Sequence, residues 1–571
     1  MQRSILPAST ALVWAALGLA SASVFAQSAS PPPYNVGDAV KQSAPPSTPD
    51  SEDATDRVIP ILSPDLVAEP EKESVPTGNM KILVESITVA GADDDEQEKL
   101  APIIAPYTRK ELSMAEINEA ATTVTHFYRD RGYLVARAYI PKQAVQEGVL
   151  TIALRRGRYG QVTIKNSSRL RQRVVRRVFE QMKTDSPDLT QSSLERAMML
   201  LKEMPGGTMP NVSIRPGTAP GTTDLNVKVD EVRRFHGYLL GDNEGSQFTG
   251  RNRAYGGFDV SSPLGLGDQL SITGMVSQTI GLKNGSATYG IPLNYNGLRF
   301  ALSYSRTLYT LGGVYTVLGG TGAAKTLEGT FSYPIRRRQD ESIDFFLSGA
   351  HKDLHDDLSA VKTQNPRNAN LATLTVQRLK FGTLFGRKAV TTLDASVTAG
   401  QLEVVDPIQR SLSGSDGTYG KLNFKGVAEL QLFGNLSAKT SLSTQKDISD
   451  KVLDSSEQLF ISGSGGVRAY AEGASGDNGY VFTQELRYTL PRIKFLPRQQ
   501  ALTAFFDNGA LSAQERGTSS TNYVLTDLGA GYSVNFHSAF LNLQAAHSLG
   551  ATKNHNETDH IHVFVQIGYV F

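Results

Sequence analysis

Residues Gln458–Leu490 read QLFISGSGGVRAYAEGASGDNGYVFTQELRYTL. Gly463, Gly465 and Gly466 open the stretch, Val467-Arg468-Ala469-Tyr470 follows, and a second glycine-bearing turn carries Gly473, Gly476 and Gly479. A clean alternation comes next. Tyr480, Phe482, Leu486, Tyr488 and Leu490 share one face, with Gln484 the exception; Val481, Thr483, Glu485, Arg487 and Thr489 share the other. Period-two patterning of this length predicts a strand with one apolar and one polar face. If the polar face lines a closed interior, Glu485 and Arg487 are lumen charges. An arginine at the tip of a glycine-rich loop folded into that interior then needs a partner.

The wall for such a loop is written on both sides of it. In Ala501–Gly509, ALTAFFDNG, Leu502, Ala504 and Phe506 alternate outward while Thr503, Phe505 and Asp507 alternate inward. An inward acid on a neighbouring strand is a candidate partner for Arg468, because a guanidinium fork meets a carboxylate through two parallel hydrogen bonds. Strand-like runs separated by Gly, Asn, Asp and Ser fill 233–571, for example Leu298, Phe300, Leu302 and Tyr304 alternating with Arg299, Ala301, Ser303 and Ser305. An open sheet cannot persist in lipid, since its edges leave N–H and C=O groups unpaired. The 339 residues of this region (571 − 233 + 1) give about 16 spanning strands at roughly 10 residues each plus connections. The last strand points Val563, Val565, Ile567, Tyr569 and Phe571 one way and His562, Gln566 and Gly568 the other.

Composition agrees with exported, multi-domain architecture. The chain has 571 residues, too many for one ordinary core. Lys+Arg 57 against Asp+Glu 56 leaves +1, which gives no support for a nucleic-acid partner. There is no cysteine, hence no disulfide framework and no thiolate chemistry. The weakly negative mean hydropathy does not argue against a membrane barrel, whose apolar half is every second residue.

Met1–Ala26 has a charged start at Arg3, an apolar run Ala11–Ala22 and a small-x-small site Val24-Phe25-Ala26, the pattern of a secretory signal peptide. Residues 27–79 are rich in Pro, Ser, Asp and Glu and form a linker, with only Val36–Gln42 suggesting a short helix. Residues 80–157 present a strand at Ile82–Val89, a helix over Asp93–Tyr107, and a second helix with a Ser113/Glu116 capping box and a Leu112/Ile117 staple. Strands Leu134–Ile140 and Val149–Arg155 close the unit. Residues 158–232 repeat that order: Val162–Lys165, helix Leu170–Met182, a helix with a Ser192/Glu195 capping box, then Val212–Arg215 and Leu225–Val229. Matching Val89 to Ile164 sets the offset at 75 positions (164 − 89), so two α+β modules lie in tandem. Arg169, Arg171, Arg173, Arg176 and Arg177 make a basic helix, read as a solvated face in preference to an anion-binding one.

Catalytic signatures do not appear. There is no G-x-x-x-x-G-K-[ST], no G-x-S-x-G and no H-E-x-x-H, so neither a cofactor nor a catalytic residue is expected. His560 and His562 share a strand face, but no third ligand accompanies them.

Together these motifs resemble the outer-membrane transporters of two-partner secretion, the TpsB or haemolysin secretion/activation family. It belongs to the superfamily in which polypeptide-transport-associated (POTRA) domains precede a barrel. Val467-Arg468-Ala469-Tyr470 matches the family's loop motif, and Phe505, Asp507 and Gly509 match its Phe-x-Asp-x-Gly wall motif. The family's loop arginine pairs with that aspartate. Gly132-Tyr133 through Pro141 and Gln143 resembles the first POTRA module. Leu194-Glu195-Arg196, Pro205-Gly206, Pro216-Gly217 and Asp224-Leu225 resemble the second. Gly241–Gly245 with Thr249-Gly250 and Arg253 resembles the opening barrel strand. A terminal aromatic pair, Tyr569 and Phe571, is similar to the outer-membrane insertion signal read by barrel-insertion machinery. The resemblance implies periplasmic POTRA domains, a lipid-embedded barrel, and export of an unfolded exoprotein through its N-terminal secretion domain. Relatives carry a pore-plugging helix; the weak helix signal in 27–79 gives little expectation of one here. A barrel-assembly factor or a passive porin are the competing readings.

Overall fold

The computed structural model describes residues 34–44, 81–145, 147–219, 221–449, 451–470, 474–491, 499–513, 521–536, 538–549 and 561–571. The signal segment, most of the 27–79 linker, Gly473 and His560 lie outside the described residues.

The first module forms because its apolar residues repeat at helical and strand spacing around one core. Strand Ser86–Ala90 runs parallel to Val149–Arg155, which pairs antiparallel with Arg137–Tyr139. Helices Asp94–Ile104 and Met114–Asp130 cover this sheet with Leu100, Ile117, Val124 and Tyr128, all buried. The capping box is present: the Glu116 N–H donates to Ser113 Oγ at 3.3 Å, and the Ser113 N–H donates to Glu116 Oε2 at 2.7 Å. The Ser113 N–H, and after it the Ser113 hydroxyl, donate to the Glu116 carboxylate and hold it below its ordinary value. The expected single strand Ile82–Val89 is two strands. Lys81–Val84 pairs with Lys110–Ser113, and the chain bends at Glu85, where the Gly148 carbonyl accepts the N–H groups of both Glu85 and Ser86.

The second module repeats the first: Arg158–Asn166 is parallel to Thr222–Val229, which is antiparallel to Asn211–Pro216. The offset survives in three dimensions. Val89 pairs with Ile152 and Ile164 pairs with Val227, so both members of the pair move by 75 positions. Helices Gln172–Asp185 and Gln191–Glu203 bury Val175, Phe179, Leu194 and Leu201 over the sheet. The Ser192/Glu195 capping box does not form. The helix starts earlier, with Thr190 as N-cap and Ser193 as its reciprocal partner, and Glu195 takes the Gln191 side chain instead. Thr190 also pairs with Tyr133 as an isolated bridge, so the modules' junction sets the cap.

From Phe235 the chain forms sixteen antiparallel strands in a closed barrel, the first and last staves being Phe235–Asp242 and Ile561–Val570. The seam runs from Gln566↔Asp242 to Val570↔Tyr238, and Phe571 and Gly237 exchange backbone hydrogen bonds beyond it. Leu302, Leu327, Leu347, Leu486, Leu502, Val563 and Ile567 stay exposed on the outer face, which is the lipid-facing half of the alternation. Gln484, the exception in the apolar face, accepts a hydrogen bond from Thr440 on the next strand at 2.7 Å, which satisfies it there. The second module docks beneath the barrel's short turns. Arg196 donates to the carbonyls of Asn296 and Pro334, and Arg337 pairs with Glu203 at 2.8 Å.

Phe179 is 1% exposed at the centre of the second module. Phe179→Ala is expected to destabilise that module by about 3–5 kcal/mol. Pulse proteolysis of the intact protein across a urea series reads this; a loss under about 1 kcal/mol shows that the helix does not carry this core.

Candidate functional site in the barrel lumen

A sixteen-stranded barrel is too wide for wall side chains to fill, so its interior is open unless other segments enter. Two do. They are the loop 448–477 and the helix Val36–Gln42.

The loop leaves strand Leu436–Asp447 and folds inward. Its descending limb is fixed by charge. Asp454 meets Arg367 at 2.5 Å; Glu457 meets Lys352 at 2.5 Å and Lys421 at 2.9 Å. Leu459–Phe460 then pairs with Ser475–Gly476 to make a small ribbon. Gly463 sits at φ +78, the left-handed region that glycine tolerates, and turns the chain so that Val467 N–H donates to the Ile461 carbonyl at 2.8 Å. Gly466 passes so close that a Cβ would lie 2.3 Å from the Ile461 carbonyl oxygen, whereas Gly465 faces open space. Val467, Ala469 and Tyr470 bury against Phe505, Leu511, Leu525 and Ala546 of the wall.

This places Arg468 against three strands. Its Nη2 lies 2.5 Å from Glu485 Oε1, its Nε 3.1 Å from Asp507 Oδ2, and its Nη1 donates to Gln544 Oε1 at 3.3 Å. Arg468 Nη2 also donates to Asp507 Oδ1 at 3.5 Å, while the closer Oδ2 makes an ion pair without a well-angled hydrogen bond. The guanidinium carbon stands 3.8 Å from the Phe505 ring centroid, a cation–π contact. Strand register accounts for the anions: Asp507 lies directly opposite Thr483 on one side and Asp527 on the other, and Glu485 lies opposite Phe505. Asp527 accepts the Ala469 N–H at 2.5 Å, so one carboxylate holds the loop backbone while two hold its side chain. Arg468 is 7% exposed and Asp507 and its neighbour Asp527 are fully buried. Deleting one charge of such a buried cluster typically costs about 3–5 kcal/mol, because the others are left uncompensated.

The sequence therefore brought together Arg468, Asp507 and Phe505, and placed Glu485 on the right face without assigning it to the arginine. Arg487 is exposed on the lumen face and lies outside the cluster. Gly509 lets Val467 and Ile461 approach, at 3.0 and 3.3 Å from a virtual Cβ. Asp527 and Gln544 were missed, and only the pairing of strands 20 and more residues apart could have found them. Among the described residues no group of His, Asp and Glu has metal-binding geometry.

The helix Val36–Gln42 corrects the weak expectation of a plug. It is seated in the lumen, with Val36 and Ala39 fully buried. Asn35 and Asp38 form its capping box. Its ends meet wall charges of the sign its dipole asks for. Asp356 accepts the Val36 N–H at 2.9 Å at the start, and Arg253 donates to the Gln42 carbonyl at 2.9 Å at the end. Arg253 is itself held by Asp242 through two hydrogen bonds of 2.7 and 3.0 Å. Asp356 also binds Arg367 and Tyr309, so helix and loop share one charged patch of wall. They touch directly as well: Lys41 Nζ donates to the Ser455 carbonyl at 2.8 Å, and a Cβ on Gly37 would lie 2.4 Å from Ser455 C.

A family profile described as haemolysin secretion/activation protein ShlB/FhaC/HecB matches residues 221–537. The chain belongs to this family. A POTRA domain profile of the ShlB type matches residues 82–157. The heme/hemopexin transporter protein HuxB of Haemophilus influenzae is 27% identical over 406 residues, covering 69% of this chain and 70% of the relative. The outer membrane transporter CdiB of Escherichia coli O6:K15:H31 (strain 536 / UPEC) is 24% identical over 478 residues, covering 80% of this chain and 77% of the relative. The solved structure of CdiB from Escherichia coli superposes over 94% of this chain and 95% of its own with TM-score 0.73 at 22% identity, a likeness of fold. This haemolysin secretion/activation protein is accordingly an outer-membrane transporter of two-partner secretion, with its POTRA modules in the periplasm. Its family is one of transporters, and catalysis is no part of that description.

Gly466→Ala is expected to unseat the loop, raising protease cleavage within 458–470 at least several-fold, while Gly465→Ala leaves cleavage unchanged. Equal behaviour of the two variants would show that the tip is not packed as described. Gly37→Ala is expected to expel the helix and raise single-channel conductance in planar bilayers; wild-type conductance in this variant would mean that the helix does not obstruct the pore.

Proposed function

We propose that this transporter captures an unfolded, β-rich exoprotein at its POTRA modules and passes it through the lumen once the helix 36–42 and the loop 448–477 have moved aside. The membership in the haemolysin secretion/activation family carries this reading. HuxB and CdiB are transporters by name, and this reading gives the present chain a secreted exoprotein as its cargo. Its partners are that exoprotein, recognised through an N-terminal secretion domain, the outer-membrane lipid, and the machinery that inserts the barrel. Arg468, held by Glu485 and Asp507, positions the loop; Val467, Ala469 and Tyr470 seat it; Tyr569 and Phe571 serve insertion.

Capture by β-augmentation needs a free strand edge, whose backbone groups pair with any extended chain. The two parallel edge strands are already guarded. Gln97 donates to the Val89 carbonyl at 3.1 Å and accepts the Val89 N–H at 3.4 Å, and Gln172 donates to the Ile164 carbonyl at 3.1 Å. Gln97 and Gln172 are themselves 75 positions apart, so the guard is part of the repeat. The opposite edges, Arg137–Tyr139 and Asn211–Pro216, are the ones this reading gives to cargo.

Removing residues 80–232 should abolish export of the partner exoprotein while ion conductance through the barrel persists. A passive porin keeps its solute flux and has no export to lose; a barrel-assembly factor loses outer-membrane protein insertion instead. Retained export in the truncated protein would end the reading.

A further inference from the structure

The outer wall carries charge at two heights on the strands Gly320–Arg337, Glu341–Leu358 and Thr363–Leu384. Toward the extracellular end, Lys325 pairs with Asp353 at 2.9 Å, and the exposed Arg306 lies opposite Lys325 on the preceding strand. Toward the periplasmic end the balance differs. Arg336 lies opposite Ile343, Ile343 lies opposite Arg378, and Lys380 lies opposite Glu341. Side chains directly opposite share a face, and the exposed Leu347 and Val376 at the same parity fix that face as the lipid side. Ten residues separate Asp353 from Ile343, which on a tilted strand is roughly 25 Å of height, the thickness of the apolar band. Leu327, Phe331, Leu347 and Val376 fill the wall between the two heights.

The lower cluster is over-cationic. Arg336 and Arg378 both bind the one carboxylate of Glu341, at 2.8 and 2.6 Å, and remain 41% and 40% exposed. Lys380 is exposed beside them. Three cations against one anion leave +2 on lipid-facing surface at the level of headgroups. A β-bulge between Pro334 and Arg336 makes this arrangement. It turns Arg336 to the lipid while the next residue, Arg337, turns to the lumen and holds Glu203 of the second POTRA module and Asp344. Ile335, the bulged residue, is 55% exposed at the edge of the band.

We propose that Arg336, Arg378 and Lys380 form a headgroup site for an anionic phospholipid of the periplasmic leaflet. Its phosphodiester oxygens take the guanidinium N–H groups that Glu341 leaves free, as arginine forks recognise phosphate. Its acyl chains lie on Phe331, Leu347 and Val376. The site sits one residue from the contact that docks the POTRA module, so lipid and module brace the same turn from opposite sides of the wall.

The test uses the full-length protein delipidated from mixed phosphatidylglycerol and phosphatidylethanolamine, with retained lipid counted by native mass spectrometry. The wild type is expected to retain phosphatidylglycerol over phosphatidylethanolamine by about thirtyfold, the equivalent of roughly 1 kcal/mol for each of the two uncompensated cations at a membrane surface. The R336Q/R378Q/K380Q variant should lose that preference, and K325Q at the upper height should keep it. Should the triple variant fail to assemble, judged by heat-modifiable migration, E341Q is read instead: freeing the two arginines is expected to raise phosphatidylglycerol retention. No preference in the wild type, full preference in the triple variant, unchanged or lowered retention in E341Q, or displacement of the lipid by millimolar inorganic phosphate each overturns the proposal.

Discussion

A guanidinium enclosed by protein stays only where anions have been arranged around it beforehand, because stripping its water costs several kcal/mol. The position of loop 448–477 follows from that requirement. Arg468 finds Glu485 and Asp507 on adjacent strands, and the neighbouring Ala469 N–H finds Asp527 on a third. Without the arginine, the wall would hold buried carboxylates with nothing to balance them. Without the closed barrel, the carboxylates would be solvated and the arginine would gain little by entering. Loop and wall therefore specify each other, and the apolar contacts of Val467 and Tyr470 complete the fit.

The same logic extends to the second occupant of the lumen. A seven-residue helix is too short to be stable alone. Here Asp356 meets its N-terminal N–H and Arg253 its C-terminal carbonyl, which gives the helix dipole complementary charges at both ends. Arg367 joins Asp356 to Asp454 of the loop, so the two lumen segments lean on one set of wall charges. Moving either changes the electrostatic surroundings of the other. Gly37 against Ser455 adds a steric tie at the point of closest approach.

How much of this could be read from the residues follows from the range of each interaction. The strand Asn478–Thr489, the tandem modules and their 75-residue offset, and the pairing of Arg468 with Asp507 rest on local periodicity or on motifs, and were legible. What depended on distant register was not. Asp527 joins the cluster because it lies opposite Asp507 across a strand pair, and nothing near Asp527 announces that. The helix at Thr190 starts early because Tyr133 from the other module bridges to its cap, so a Ser-x-x-Glu pattern inside the helix misled. The lumen helix looked weak because its stabilising partners, Asp356 and Arg253, lie hundreds of positions away.

The lumen contacts combine apolar packing of Val36, Ala39, Val467 and Tyr470 with ion pairs, and the share carried by charge matters to transport. An apolar plug would lose its hydrophobic stabilisation on leaving for water and would return quickly. Ion pairs in a lumen are different, because water entering behind a departing helix solvates Asp356, Arg253 and Arg367 and recovers much of what the contact supplied. The closed state is thus ordered by several specific contacts, of which the charged ones cost less to break once wet than the apolar ones of Val36 and Val467. An extended chain threading the lumen brings backbone donors and acceptors that can serve the same wall groups in turn. On the proposed function, charged wall groups that can be re-solvated or re-paired suit passage of cargo of any sequence better than apolar contacts alone would.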